Sequence, residues 1–594
     1  VHPATTIVHT LSRWASERPD QEALRDRDPA GATVTWTWAT YWRDARLVAR
    51  GLIALGHVTG DAVAIMGGNR AQWVLAQLGA MAAGGVPAPI YPTSTPDQVR
   101  HILANCQASV VFVDDPGNVD KVLTAAPTVR AVVAMAPLTH ADPRVMSFAA
   151  LLAAAAPVPD ADLDARISAL DPRATGLLIY TSGTTGEPKG AQLAHEQLVY
   201  MGRTMADAVP PARFTEARVV SYLPLSHIAE QLFTNLITLQ TGGHVTFCGD
   251  LKQIKDHLIE DRPNVFLGVP RVWEKFEAVL RARLAEATGV KAAIAAWALR
   301  TELAAFDAEA ASGAPVTSFR RRLANRLVQA KIKGALGLDR LELACSGAAP
   351  IGKETLRFFA SLGIVIHEGY GMTETTGIAT MPPIGAPRFG TVGRALPGVT
   401  LRIADDGEIV LKGPNMTRGY LHQPDKTAEL IDEDGWLHTG DLGAVDGDGF
   451  VTITGRKKDL LITAAGKNIA PAEMEAHLKT ILGVAQAVVL GDRKPYLVAL
   501  LVLDPERADA IAAAAGSSAR GVPEVARDPA VRAWLTQQVE ERCNSKVARY
   551  QTIKRIDVVP HDFTVDGGEL TPSLKIRRNV VAEKYAGMIE ALYT

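Results

Sequence analysis

The sequence predicts an α/β protein, with a large N-terminal domain of parallel-rich sheets flanked by helices and a small α+β C-terminal domain. Three observations carry this reading. At 594 residues the chain is too long for one hydrophobic core. Strand and helix signals take turns through its first third, which implies parallel sheets covered on both faces. A Gly/Asp-rich turn segment, Asp446-Gly447-Asp448-Gly449, then leads to Gly455-Arg456-Lys457-Lys458, beyond which a compact α+β pattern begins. The expected organisation is an N-terminal domain over 1–455, a hinge at 456–458 and a C-terminal domain over 459–594.

The elements follow from local chemistry. Val34-Thr35-Trp36-Thr37-Trp38 has β-rich composition, and the helical run after it stops at Gly56. Asp61 to Met66 reads as a short apolar strand. Thr95 is a helix N-cap with Pro96 at the first helical position and Gln98 completing a capping box. Val110-Val111-Phe112-Val113 is the next buried strand. The longest apolar stretch, Val74 to Ile90, is interrupted by Gln77 and by Gly84-Gly85-Val86-Pro87, so a buried helix and a turn fit better than a membrane span. Beyond the hinge, a helix from Pro471, strands at Ala487–Leu490 and Leu497–Leu500, a long helical stretch and a strand at Ile553–Val559 are expected.

Composition excludes several classes. The 62 Lys and Arg against 64 Asp and Glu leave a formal charge of −2, without the basic excess of a nucleic-acid binder. The four cysteines, Cys106, Cys248, Cys345 and Cys543, form no CxxC and no disulfide framework. The opening residues Val1-His2-Pro3-Ala4 have no basic, apolar pattern of a secretory signal, so the cytoplasm is the expected setting. An apolar surface patch can collect an insoluble substrate without a span, which leaves room for peripheral contact at the inner membrane. Oligomeric state is not encoded in any of these features.

The strongest chemical signal is Tyr180-Thr181-Ser182-Gly183-Thr184-Thr185-Gly186-Glu187-Pro188-Lys189-Gly190, which follows the apolar strand Gly176–Ile179. Glycines let backbone N–H groups fold around an anion, and hydroxyls with one ammonium suit a polyphosphate. The Walker A pattern is not satisfied. Ser346-Gly347-Ala348-Ala349-Pro350 would let a flat base lie against the backbone, although a tight strand-to-helix connection fits equally well. In Glu368-Gly369-Tyr370-Gly371-Met372-Thr373-Glu374, an aromatic ring beside glycines can stack on adenine and a carboxylate can hold Mg²⁺. Asp441, in Gly435-Trp436-Leu437-His438-Thr439-Gly440-Asp441, offers a carboxylate that accepts two hydrogen bonds well.

These blocks, in this order, resemble the AMP-forming adenylating superfamily of acyl-CoA synthetases, peptide-synthetase adenylation domains and luciferases. The likeness runs from about Thr33 to Lys575, nearly the whole chain. It implies a nucleotide site built from Thr181 to Gly186, Lys189, Gly347 to Ala349, Glu368 to Thr373, Asp441 and Arg456. Tyr370 would face the base, Thr373 the α-phosphate, and Asp441 with Arg456 the ribose. Glu374 and Thr181 would ligate Mg²⁺. His227, in Tyr222-Leu223-Pro224-Leu225-Ser226-His227, would lie between acyl pocket and phosphates. Lys575, framed by Gly568-Glu569-Leu570-Thr571-Pro572-Ser573-Leu574, would act with Lys189 and His227 in catalysis.

Tyr222 to Ala229 and Gly268-Val269-Pro270-Arg271-Val272-Trp273-Glu274-Lys275 look like the bubblegum-type branch of long-chain fatty acid–CoA ligases. Ile462-Thr463-Ala464-Ala465-Gly466-Lys467-Asn468 is similar to that branch's Ile-Thr-Ala-Gly-Gly stretch, with Ala465 in place of a glycine. Gly466 and Lys467 would meet CoA there. The resemblance implies that fatty acid, ATP and CoA become acyl-CoA, AMP and pyrophosphate. A mobile C-terminal domain would turn about Lys458 between the two half-reactions. After His227, the apolar residues Ile228, Leu232, Phe233 and Leu236 recur at helical spacing, so one face suits an alkyl tunnel, although core packing explains the same spacing. Two rivals stand beside this reading. A fatty-acyl-AMP ligase serving a carrier protein typically carries an inserted segment, and none is obvious here. A non-catalytic lipid or nucleotide sensor would be expected to lack Lys575, Glu374 or Asp441.

Overall fold

The computed structural model describes residues 6–181, 187–208, 216–464, 467–565, 567–571 and 575–594. Its first sheet is wholly parallel, in the order Val86–Ile90, Ala62–Met66, Val110–Val113, Ala131–Ala134, Val145–Ser147. Ala62–Met66 and its neighbour Val110–Val113 are buried throughout, as strands covered on both faces must be. Pro87 and Pro89 fall in the edge strand two residues apart, so both missing donors point away from the ladder. The turn expected over Gly84 to Pro87 is therefore shorter, and Val86 already pairs with Ala62. The apolar stretch before it is the buried helix Ala71–Ala82. Among the described residues no helix is long and apolar enough to cross a membrane.

A second sheet joins Arg218–Ser221, His244–Phe247 and Glu22–Arg27 in parallel, with Thr33–Thr37 antiparallel at its edge. A third, parallel sheet contains Val265–Leu267, Leu343–Ser346 and Ile366–Glu368. Three motif loops leave the carboxyl ends of these parallel strands: 222–227 after Ser221, 347–350 after Ser346 and 369–374 after Glu368. Ligands of open α/β sheets collect in that position. The helix Pro96–Cys106 starts as expected, with Thr95 accepting from Gln98 N.

One sheet was not anticipated. Thr400–Ile403, Glu408–Lys412, Leu437–Val445 and Val451–Arg456 form an antiparallel meander. Its last register places Asp441 opposite Arg456.

Beyond residue 460 a mixed sheet pairs Val484–Leu490 with Leu497–Leu503 and the latter with Ile553–Val559. Alternate residues of Leu497–Leu503 feed two separate apolar clusters, one on each face, built only from residues 461–593. The long helical stretch expected here is instead three helices, Ala508–Ala514, Gly521–Val525 and Pro529–Arg542. The Ser517–Asp528 contact closes the intervening loop, and Asp528 caps the third helix above Pro529. All four cysteines are free and buried.

Candidate active site

The strand Thr175–Thr181 and its antiparallel partner Lys189–Ala194 hold Thr181 opposite Lys189, so both border the cleft. Ser182 to Gly186, the centre of the phosphate-loop reading, lie outside the described residues, as does Gly466. The cleft has a volume of about 2080 Å³ and lies between the large N-terminal part and the C-terminal sheet domain. His227, Gly347, Ala348, Ala349 and the whole run Glu368 to Glu374 line it. Asp441, Arg456, Lys458 and Lys575 line it as well. Residues separated by almost 400 positions thus face one space.

Backbone shape makes the 347–350 and 369–374 loops possible. Gly371 is pressed against Gly377, where an added Cβ would come within 1.9 Å of the Gly377 carbonyl oxygen. Ala348 has φ +67, a left-handed conformation costly for a residue with a Cβ and often held at functional loops. Glu368, half-buried beside this loop, accepts weakly from Ile351 N at 3.4 Å, and loss of solvent around its carboxyl pushes it up to about 7.

The Asp441 carboxylate is shared. Tyr370 Oη donates to Oδ2 at 2.8 Å, and Arg456 Nε approaches Oδ1 at 2.8 Å. The meander register fixes this pair, so the ribose-binding candidates are tied to one another before any nucleotide arrives. Glu374 is held on the other side by Tyr420, whose Oη donates to Oε1 at 2.6 Å. Lys189 Nζ lies 4.9 Å from the centre of the same ring, a cation–π distance. Tyr420 was not read from the sequence. A single tyrosine carries no periodic signal, and its place follows from the bridge Ala191↔Tyr420.

His227 caps the helix Ile228–Gln231, its Nδ1 accepting from Ala229 N at 3.1 Å. The proton of the neutral ring therefore sits on Nε2. Burial, helped by the positive charge of Lys575, holds the ring down to about 4. Lys575 itself is shifted below the ordinary lysine range, chiefly by burial and then by Arg456, while Glu374 and Asp441 pull the other way. Its surface stays accessible from the cleft although protein surrounds the ammonium closely. Reciprocal bonds with Thr571, N to Oγ1 at 3.0 Å and carbonyl from Thr571 N at 2.8 Å, hold the Lys575 backbone. Lys458 is also lowered, by burial and by Arg456.

Below His227 the expected continuous helix is interrupted. Ile228–Gln231 passes into a π-turn, Leu232–Leu236, before Ile237–Thr241 resumes α geometry. Ile228, Leu232 and Phe233 line the cleft, whereas Leu236 packs away from it, against Gly202 of the helix His195–Ala208. The polar positions of this segment are buried too. Glu230 accepts from Ser221 Oγ at 2.7 Å, Thr234 Oγ1 at 2.7 Å and Tyr222 N at 3.1 Å. Burial outweighs these bonds and pushes its carboxyl up to about 7. Gln231 accepts from Gln77 and Asn235 at 2.9 and 2.8 Å. Lys467 is exposed, bonded through its N–H to Thr463 Oγ1 at 3.2 Å, and is not part of the cleft lining.

Residues 11–421 match the AMP-binding enzyme family, and residues 458–594 match the AMP-binding enzyme C-terminal domain. The chain belongs to the AMP-binding enzyme family. This AMP-binding enzyme is 38% identical over 584 residues to the long-chain-fatty-acid–CoA ligase FadD15 of Mycobacterium bovis, covering 97% of this chain and 95% of that one. It is 35% identical to the long-chain-fatty-acid–CoA ligase ACSBG2 of Xenopus laevis, covering 100% of this chain and 84% of the relative. Among solved structures, the A domain of a carboxylic acid reductase from Segniliparus rugosus, in complex with AMP and a co-purified carboxylic acid, shares the fold. That match has a TM-score of 0.74 at 20% identity and covers 100% of this chain and 95% of the other.

Proposed function

We propose that this AMP-binding enzyme is a long-chain fatty acid–CoA ligase that converts fatty acid, ATP and CoA into acyl-CoA, AMP and pyrophosphate through an acyl-adenylate. The observation that carries the reading is the meeting of Lys575 with His227, Glu374, Asp441 and Arg456 in one cleft. The near-full-length likeness to FadD15 and ACSBG2 supports the choice of acid and of acceptor.

In the first half-reaction a fatty-acid carboxylate oxygen attacks the α-phosphorus of ATP, and pyrophosphate leaves. Asp441 and Arg456 hold the ribose, Tyr370 and the 347–349 loop receive the base, and Thr373 reaches the α-phosphate. Lys575 places a cation between carboxylate and α-phosphate, where negative charge gathers as the bond forms. His227, neutral at physiological pH, presents Nε2–H as a hydrogen-bond donor without adding charge. The Glu374 carboxylate is a hard oxygen donor on the cleft wall, which fits Mg²⁺, and Thr181 borders the same cleft. When bound, that ion neutralises phosphate charge.

In the second half-reaction the CoA thiol attacks the acyl carbonyl, the thioester C–S bond forms, AMP leaves and the thiol proton passes to solvent. Residues 459–594 turn about 456–458 to exchange Lys575 for the segment around Gly466 and Lys467. The exposed position of Lys467 outside the cleft fits the adenylating half of such a cycle. Pyrophosphate release across acids from acetate to very long chains, with and without CoA, tests the reading. Release that depends on a long-chain acid, with acyl-CoA formed when free CoA is added, is expected. Adenylate formation without thioester would point to a carrier protein as acceptor, and acid-independent release would overturn the assignment.

A further inference from the structure

The stretch Phe319 to Leu336 contains no Asp or Glu and six Lys and Arg. It forms one helical rod, Phe319–Ala324, a π-turn Asn325–Gln329 and Ala330–Leu336, packed against the helix Gly289–Ser312. The inner side of the rod is packed into the fold. Ala324 and Gln329 are fully buried, Gln329 donates to the Ala298 carbonyl at 2.9 Å, and Ile332 and Leu336 join the core. Arg321 turns inward to Glu302 at 2.7 Å and to Glu309, which fixes the rotation of the rod about its axis.

That rotation leaves a second apolar stripe facing water. Phe319, Leu323 and Leu327 follow one another at four-residue spacing and are 71%, 38% and 38% exposed. Arg320, Arg322, Arg326 and Lys331 flank the stripe and are exposed as well. The neighbouring helix adds Val290, 75% exposed, and Ile294 one turn on. The helix before it, Pro270–Ala285, carries half-exposed Val279 on the lining of the cleft itself. Solvent-facing aliphatic groups thus occur on consecutive helices, the first of which walls the cleft.

We infer that the outer face of Phe319–Leu336 is a docking surface for an anionic lipid bilayer. An aromatic and leucine stripe bordered by Arg and Lys matches the amphipathic requirement of the interface, where apolar groups enter the acyl boundary and cations meet the headgroups. The absence of carboxylates from the rod favours a negatively charged partner over a neutral one. The fatty-acid reading supplies a purpose, since long-chain acids partition into bilayers, but the surface is read from the rod alone.

Co-sedimentation with phosphatidylcholine vesicles, with and without phosphatidylglycerol, tests this on the full chain. The wild type should sediment with the anionic vesicles and be released by high salt. The double change Leu323→Asp with Leu327→Asp should leave the protein in the supernatant while thioester formation from a water-soluble medium-chain acid is kept. Arg322→Ser with Arg326→Ser should weaken partition roughly tenfold or more, and it decides the matter if the Asp pair fails to fold. Wild-type protein remaining in the supernatant would overturn the inference, as would variants that sediment like wild type. A chain that dimerises through the stripe, with the Asp pair monomeric and vesicle binding unchanged, would also overturn it. Vesicle binding by a chain inactive toward every acid would leave the surface standing and remove the ligase reading instead.

Discussion

Tyr420 and Glu374, 46 positions apart, are joined by a 2.6 Å hydrogen bond on the wall of the cleft, with Lys189 stacked over the tyrosine ring. The phenol therefore positions the carboxylate proposed for Mg²⁺ and the ammonium proposed for phosphate.

Tyr420→Phe keeps the ring and its contact with Lys189 but removes the bond to Glu374. A hydrogen bond to a charged group contributes about 1.5–3 kcal/mol, so an effect on the order of tenfold or more is expected. It should appear as a raised Mg²⁺ requirement and KM for ATP, read by pyrophosphate release across a magnesium titration. An unchanged titration would mean that Glu374 needs no such support.

Lys575→Ala should lower adenylation by about 10²–10³-fold, the scale of losing a group that meets developing charge. Thioester formation from supplied acyl-AMP and CoA should stay near normal. Lys458→Pro should do the reverse, because proline fixes φ and restricts Lys457 before it. Acyl-AMP should then form and accumulate while acyl-CoA output collapses. Equal loss of both half-reactions in both variants would contradict a hinge at this place.

Glu230 gives a pH-dependent contribution with a definite sign. Its folded value of about 7 lies above the ordinary 4.5, so the folded chain retains a proton that the unfolded chain has lost. The corresponding stability is full below the unfolded value and is lost as pH rises through the folded one. Glu230→Gln cannot ionise, so its stability relative to wild type should rise by about 2.5 kcal/mol between about pH 5 and about pH 8. Denaturant unfolding at both ends checks this, and a constant difference would show that Glu230 is ionised in the folded state.

Leu232→Trp should shorten the range of accepted acids. Leu232 lines the cleft and faces the 371–377 turn, where a Cβ added at Gly377 would come within 3.3 Å of its Cδ2. Each methylene denied burial costs about 0.8 kcal/mol, so kcat/KM should fall most for the longest chains. An identical length profile would move the alkyl path elsewhere.

The parts legible in the sequence were those written locally. Val110 to Val113 announces a doubly covered strand by composition, and Thr95 with Gln98 announces a helix start by side-chain reach. The loops 347–350 and 369–374, which line the cleft, were marked in the sequence by clustered glycines and small residues. Tyr420 and Glu230 were not, since their roles arise from registers and burial that join distant segments. The antiparallel meander was missed for a related reason. Its defining contact, Asp441 opposite Arg456, depends on how two strands align rather than on either strand alone. Leu236 shows the limit of periodicity: helical spacing placed it with Leu232, and a π-turn sent it to the other side.

An acyl-adenylate is an electrophile toward any thiolate within reach, including those of the protein that makes it. Cys345 borders the cleft, yet burial pushes its thiol up to about 12, and Cys106, Cys248 and Cys543 are likewise buried and each raised to about 11. The four cysteine thiols therefore stay protonated and out of the competition. Burial thus disfavours acylation of these four cysteines, whereas a thiol that arrives from solution carries no such penalty.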